Sequence, residues 1–340
     1  MVTGRGKRPT MRDVARLAGV SPALVSIVFR EAPGASAETR ERVFAAADQL
    51  GYIRDERARG LRSTQQTSIG VTFEIDQPFQ SAIVAALYRQ AGPSHPLVLS
   101  PTGGGRTEKQ AIADLVANRC GVLIVVSSER DEEYFAQLSQ RIPVVAVGRV
   151  LDGAPVDWIA TDEYAAMALA VDHLVGLGHR RIAHLCDRHA AGGVLRIAAF
   201  KEACTRHGIT ADASIVTAGE TEDAGAHAAE RLLEGGALPT AILAFNDRCA
   251  LGAMDALARH GMRVPEDCSI VGVDDSDIAR RYLVDLTSVR QDVDGMARQA
   301  LQRAILRLEN RSDVPIRGIV TAPTLRVRSS TGPAPAAPSA

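Results

Sequence analysis

Aromatic residues are scarce in this 340-residue chain: they make up 4% of it, and tryptophan occurs once. A pocket that stacks flat rings, as a purine site does, is therefore not expected. The five cysteines, Cys120, Cys186, Cys204, Cys249 and Cys268, are odd in number, widely spaced and form no C-x-x-C pair. That argues against a disulfide framework or a thiol-ligated zinc site and for reduced, buried thiols. No apolar run approaches the ~20 residues that span a bilayer. The first residues are basic and polar, without the apolar stretch of a secretory signal, so a cytoplasmic location with no membrane partner is expected. Of the eight histidines His184 and His189 lie five apart, as do His179 and His184, and that spacing is not that of a zinc site. No G-x-G-x-x-G follows a strand-like run, and Gly103-Gly104-Gly105-Arg106 lacks the spacing of a phosphate-binding loop. No enzyme, cofactor or metal is expected.

Net charge is nearly absent as well: 39 Lys+Arg against 40 Asp+Glu leave −1. The balance hides an asymmetry, because residues 1–62 hold 12 basic and 7 acidic side chains, which leaves the remainder of the chain at −6. The basic end is the one suited to phosphates.

That end is patterned as short helices. Thr10 can cap a first helix with Asp13 closing a capping box, and Val14, Leu17 and Ala18 recur at helical spacing as a buried face. Gly19 permits the left-handed backbone that stops a helix, and Ser21 followed by Pro22 is an N-cap with proline at the first helical position. In the second helix Val25 and Phe29 share a face that packs on Val14 and Leu17, while Ala23, Ser26, Ile27 and Arg30 form the opposite face. A helix-turn-helix that lays this second helix in a major groove would present those side chains to base edges, with Ser21 and Pro22 near the backbone. A third helix runs from its cap Ser36 through Val43, Phe44, Ala47 and Leu50 to Gly51.

Beyond a charged and polar linker, apolar runs alternate with helical stretches: Ile69 to Phe73, Leu97 to Leu99, Val122 to Val126, Val144 to Val147, Ile182 to Leu185, Ala241 to Phe245 and Ile270 to Val273. Parallel sheets covered by helices follow, and the number of βα units suits two similar lobes with a cleft between them. The residues after Gly332 have the composition of a disordered tail. Two other classes fit parts of this pattern. A solute-binding protein of a transporter would share the cleft, but not the basic helical head; a nucleotide-dependent enzyme would need the glycine fingerprint that is missing.

From about Thr10 to Thr331 the chain resembles the LacI/GalR family of bacterial transcription regulators. The resemblance rests on Asp13-Val14-Ala15-Arg16-Leu17-Ala18-Gly19-Val20-Ser21, Ser36-Ala37-Glu38-Thr39-Arg40 and Leu50-Gly51-Tyr52. Further on it rests on Gly178-His179-Arg180-Arg181-Ile182-Ala183, Phe245-Asn246-Asp247, Val271-Gly272-Val273-Asp274-Asp275, and Pro323-Thr324-Leu325-Arg326-Val327-Arg328-Ser329-Ser330-Thr331. It implies a three-helix DNA-binding head (1–51), a hinge helix and linker (52–66), and a periplasmic-binding-protein-like α/β core of two doubly wound lobes (67–332). Lobe 1 is expected at about 67–161 and 292–324, lobe 2 at about 162–291 and 325–332, and the tail at 333–340. It further implies a homodimer on a near-palindromic double-stranded DNA operator. The DNA-facing residues would be Thr10, Ser21, Pro22, Ala23, Ser26, Ile27, Arg30, Ser36, Thr39, Tyr52, Arg59 and Leu61, with Leu61 wedging between central base pairs. A small-molecule effector would sit in the cleft against Phe79, Arg196, Asn246, Asp274 and Gln291 and shift the hinge between two states. With few aromatics and several groups suited to hydroxyls, a sugar or polyol is expected, in a repressor of carbohydrate uptake or breakdown genes; inducer and corepressor modes both stay open, and a corepressor-dependent regulator with a non-sugar effector is the alternative.

Departures from the family pattern carry information. Ile27 and Leu24 stand where many members have arginine and threonine, so base readout should lean on thymine methyls, Ser26 and Arg30; an Ile27→Arg variant should change operator preference. Arg54 and Asp55 replace a common proline and asparagine. Gly60 replaces a common serine at a cost of roughly 0.5–1 kcal/mol to a helix, so Gly60→Ala should raise operator affinity. Gly148-Arg149 stands where many relatives carry an acidic ligand contact.

Overall fold

A computed structural model describes residues 9–29, 32–52, 67–210, 214–235, 238–309 and 314–335. The chain divides into two compact units, 1–65 and 66–340. Arg30, Arg54, Asp55, Arg59, Gly60, Leu61 and the expected hinge helix lie outside the described residues.

The first unit holds α1 (Met11–Ala18), α2 (Pro22–Phe29) and α3 (Ala37–Leu50). At the start of α1 the Asp13 carboxylate accepts from the Thr10 N–H at 2.9 Å and from its hydroxyl at 2.6 Å, tying down the chain where the helix dipole is positive. Gly19 turns the chain at φ +67°, Ser21 Oγ accepts from the Leu24 N–H at 3.2 Å, and Ser36 Oγ does the same for Thr39. Val14, Ala15, Ala18, Val25, Val28, Val43, Ala46 and Ala47 form the core.

Two expectations about this core are corrected. Leu17 is 45% exposed, and the buried face of α1 is Val14, Ala15 and Ala18; at 100° per residue Leu17 sits on the shoulder of that face. On α2 the fully buried pair is Val25 and Val28, three apart. Phe29 is half-buried, its ring 5.8 Å from exposed Phe44 and 5.7 Å from Tyr52.

The second unit opens with β1 (Ile69–Glu74), α4 (Pro78–Gln90), β2 (Leu97–Thr102), α5 (Glu108–Ala117), β3 (Val122–Val126), α6 (Glu132–Ser139), β4 (Val144–Val147) and β5 (Asp157–Thr161). It continues with α7 (Glu163–Gly176), β6 (Ile182–Cys186), α8 (Gly193–Arg206), β7 (Ser214–Thr217), α9 (Glu222–Glu234), β8 (Ala241–Leu243), α10 (Asp247–Arg259), β9 (Ser269–Val273) and β10 (Thr287–Arg290). It ends with α11 (Val293–Glu309), β11 (Gly318–Thr321) and β12 (Thr324–Arg326).

The strands form two six-stranded sheets, ordered β11-β5-β4-β3-β1-β2 and β12-β10-β9-β8-β6-β7. All pairings are parallel except β10 with β12. In each sheet the order reverses beside its first strand, β1 or β6, and the C-terminal strand ends at such a reversal form the crevice where α/β sheets bind ligands. The chain crosses between sheets after β5, after β10 and between β11 and β12, so the second sheet takes Thr324, one residue before the expected boundary.

Five strands, β5, β7, β10, β11 and β12, have no counterpart among the apolar runs of the sequence. In β5 the pattern is masked by Asp157, which is fully buried and held by Arg303 at 2.7 Å and Arg307 at 2.8 Å, pinning α11 to the first sheet. The run to Phe245 also overshoots, since β8 stops at Leu243. Trp158 belongs to the core of the first sheet. All five cysteines are buried free thiols. Buried His179 links Thr240, Ser269 and the Gly332 carbonyl, each at 3.0 Å. Burial first of all lowers its pKa and keeps it neutral. The tail is anchored further than its composition implies, because the Ala334 N–H bonds to the Leu177 carbonyl at 2.9 Å; residues 336–340 lie outside the described residues.

Candidate functional site

In the head, Ser21, Pro22 and Ala23 are exposed at the start of α2, while Ser26 and Ile27 are half-buried on its next turn. Thr10 and Ser36 are exposed, and Thr39 is half-buried with its hydroxyl 2.9 Å from Ser36 Oγ. Tyr52 packs its ring on Phe29 and so contributes to the head's core. The exposed start of α2 thus combines an N-cap, a proline and a small side chain, a surface that can approach a phosphate backbone closely.

The core holds two adjoining chambers between the sheets. The narrow one, about 40 Å³, is lined by Phe79, Gly148, Arg196, Asn246, Asp274 and Gln291 among others. All five effector residues singled out in the sequence meet there. Arg196, on the first turn of α8, is 5% exposed. It donates to Glu163 through Nε at 2.8 Å and Nη2 at 3.1 Å, and to the Phe245 carbonyl at 2.7 Å, with its guanidinium 4.6 Å over the Phe245 ring. Burial opposes its charge, yet the Glu163 carboxylate outweighs burial and raises its pKa. Three of its five N–H groups are thereby committed and two remain for a ligand.

Asn246 caps α10, its Oδ1 accepting from the Cys249 N–H at 2.8 Å, while its amide nitrogen donates to the Glu220 carbonyl at 3.0 Å. Asp274 stands at φ +112° just after β9 and accepts from Gln291 Nε2 at 2.7 Å. The Thr161 hydroxyl in turn donates to Gln291 Oε1, which joins the two sheets. Burial and then the neighbouring Asp247 carboxylate push the Asp274 pKa upward. Asp247 itself bonds the Ser276 N–H at 2.7 Å and the Ser288 hydroxyl at 2.6 Å, a structural role.

Gly148 has to be glycine: its φ is +90°, and a Cβ there would lie 2.6 Å from Ser127 Oγ. Arg149 turns away from the chamber to the Ser128 carbonyl at 2.7 Å and to the Arg130 carbonyl.

The wide chamber, about 430 Å³, was not anticipated from the sequence. It shares Gln80, Ser127 and Glu220 with the narrow one and adds Thr72, Glu74, Glu108, Ser128, Glu129 and Arg130. These residues lie at the ends of β1 and β3, at the start of α5 and after β7. The signal that would have found them is the one that marks Asn246 and Asp274, a polar residue at the end of a buried strand; Glu74 closes β1 in that way. Burial pushes the Glu220 carboxyl up to about 7 and raises Glu74 and Glu108 as well. Across the cleft Arg248, paired with Glu222, donates to the Asp76 carbonyl at 2.9 Å. No cluster of three or more His, Cys, Asp or Glu suited to a metal occurs among the described residues. Nor is any helix among them long and apolar enough to cross a membrane.

Comparison with known proteins agrees with both units. Residues 10–55 match the family described as bacterial regulatory proteins, lacI family, and residues 171–331 match the periplasmic binding protein-like domain. The HTH-type transcriptional regulator GalR of Escherichia coli K12 is 35% identical over 327 residues, covering 94% of this chain and 95% of that one. A LacI transcriptional regulator from a Rhodococcus species superposes with a TM-score of 0.76 at 40% identity, over 79% of this chain and 100% of that one. The lac repressor dimer bound to operator and the anti-inducer ONPF superposes with a TM-score of 0.79 at 30% identity, over 96% of this chain and 100% of that chain. A helix-turn-helix head joined to a two-sheet cleft, matched along nearly its full length by such regulators, places this chain in the LacI family of DNA-binding transcriptional regulators.

Proposed function

We propose that the chain represses genes of carbohydrate uptake or breakdown, acting in the cytoplasm as a homodimer on a near-palindromic operator. The observation that carries this reading is the narrow chamber, where Arg196, Asn246, Asp274 and Gln291 converge between the two sheets. Two uncommitted guanidinium N–H groups, a carboxylate and two amides suit a ligand rich in hydroxyls. The head supplies operator contacts through Thr10, Ser21, Pro22, Ala23, Ser26, Ile27, Arg30, Ser36, Thr39 and Tyr52, with Arg59 and Leu61 of the segment 52–66 at the operator centre. A ligand that binds one spacing of the two sheets better than the other shifts the balance between DNA-bound and free states by that difference in affinity.

The test is capture of sheared genomic DNA of the source organism by the full chain and by its Ala23→Glu variant, which sets a negative charge on the exposed face of α2. Enrichment of one short near-palindrome by the unmodified chain alone is the expected result, with sugars or polyols then altering the yield. Equal enrichment by both proteins, or none by either, overturns the operator reading.

A further inference from the structure

The wide chamber is charged in one sense. Four carboxylates line it, those of Glu74, Glu108, Glu129 and Glu220, against the single lining guanidinium of Arg130, while Arg149, Arg196 and Arg248 act on them from outside its walls. The Arg130 guanidinium is exposed, 5.5 Å over the Tyr134 ring, and so is the neighbouring Glu129, which leaves Glu74, Glu108 and Glu220 as the sheltered charges. None of the four carboxylates makes an ion pair among the described residues, although the same cleft holds Glu163 and Glu222 in tight arginine pairs. Beneath them lies Thr72, 1% exposed, one of the residues that line the chamber, and its hydroxyl has no hydrogen-bond partner. A buried hydroxyl without a partner is uncommon and costs about 1–3 kcal/mol.

The chemistry of the occupant follows from these groups. An anionic ligand, such as a sugar phosphate, would meet carboxylates on several sides, and the start of α5, which could have received a phosphate, carries Glu108 instead. A neutral ligand would leave the mutual repulsion of the carboxylates in place. A bare metal ion lacks a converging set of ligands among the described residues, and the chamber, at about 430 Å³, has the size of an organic molecule's site. A cationic nitrogen is a donor, neutralises the carboxylates and fits the space. Glu220 lines both chambers, so one molecule can place hydroxyls beside Arg196, Asn246 and Asp274 and its charge beside Glu220 and Glu74.

We propose that the effector of this regulator carries a cationic nitrogen together with its hydroxyl groups, as an amino sugar or amino polyol does, and that Glu220 and Glu74 select for it. This rests on the reading of the cleft as the effector site and narrows the ligand within it.

The experiment titrates the purified full chain by calorimetry with matched sets: glucose, glucosamine and N-acetylglucosamine; galactose, galactosamine and N-acetylgalactosamine; sorbitol and its 1-amino-1-deoxy counterpart. The expected result is at least tenfold tighter binding of the amine than of its neutral partners in one set or more. Glu220→Gln and, separately, Glu74→Gln should reduce that preference at least threefold. Neutral members that bind as well as the amines, no binding by any amine, or a preference that survives both substitutions overturns the proposal. The genomic capture is read independently: an operator released by a neutral sugar keeps the regulator reading and removes this one, whereas an amine preference without any operator does the reverse.

Discussion

The two chambers of the cleft adjoin, yet their polar groups are in opposite states. In the narrow chamber Arg196 is locked to Glu163 and the Phe245 carbonyl, Asp274 to Gln291, and Asn246 to both Cys249 and Glu220. In the wide chamber Glu74 and Glu220 make no ion pair among the described residues, Arg248 and Arg196 acting on them only from a distance, and Thr72 has an orphan hydroxyl. The difference teaches that ligand recognition here has a preorganised half and an unsatisfied half. A locked group binds without further ordering cost, while an unsatisfied one weakens the empty protein and rewards a ligand that completes it.

The sharpest way to break this contrast is Arg196→Ala, which leaves the Glu163 carboxylate buried and unpaired. A loss of about 3–5 kcal/mol is expected, seen as a lower urea midpoint; a loss under about 1 kcal/mol would show that the narrow chamber is not held by this pair. Gly148→Ala comes next. It sets a Cβ against Ser127 Oγ at a backbone angle that disfavours side chains, and about 1–3 kcal/mol should be lost, measured as a fall in Tm.

The wide chamber should respond in the other direction. The Glu220 carboxyl is pushed up from 4.5 to about 7 by burial first, with Glu129, Glu74 and Asp187 adding repulsion and Arg196 opposing them. A carboxyl whose pKa is raised on folding contributes its full stability below the unfolded value and loses it as pH rises to the folded one. Glu220→Gln should therefore match the unmodified protein below pH 4.5 and exceed it above pH 7 by about 1–2 kcal/mol, once solvent screening is allowed for. Urea titrations at pH 4.5 and 8 check this, and a parallel pH dependence in both proteins would contradict it. The smallest effect is expected from Thr72→Val, which replaces the orphan hydroxyl by a methyl group of similar size. A gain of about 1 kcal/mol in unfolding free energy supports the assignment, and a loss would mean that the hydroxyl is satisfied in solution.

Much of this was legible because it depends on local order. Thr10 with Asp13, Gly19, Ser21 with Pro22, and Ser36 with Gly51 are punctuation that neighbouring residues read, and the structure places each in that role. The parallel strands buried on both faces, such as Val122–Val126, announce themselves as unbroken apolar runs. Leu17 was misplaced because periodicity gives a face but not which neighbours cover it. β5 was missed because Asp157 interrupts its pattern, and only Arg303 and Arg307, some 150 positions away, make that charge tolerable.

The sequence by itself determined the class of molecule: a helix-turn-helix head with a basic end, an α/β core, and polar residues at strand ends where such sheets bind ligands. It determined these because capping, turn formation and strand burial act over a few residues. Which carboxylates would be paired and which left open was decided only by tertiary structure. Glu163 and Glu220 are the same residue type, 57 positions apart in the chain. Folding brings the Arg196 guanidinium to 2.8 Å from one and leaves the other facing a cavity. The strength of a charge interaction is set by distance and burial in three dimensions, neither of which is written in sequence order.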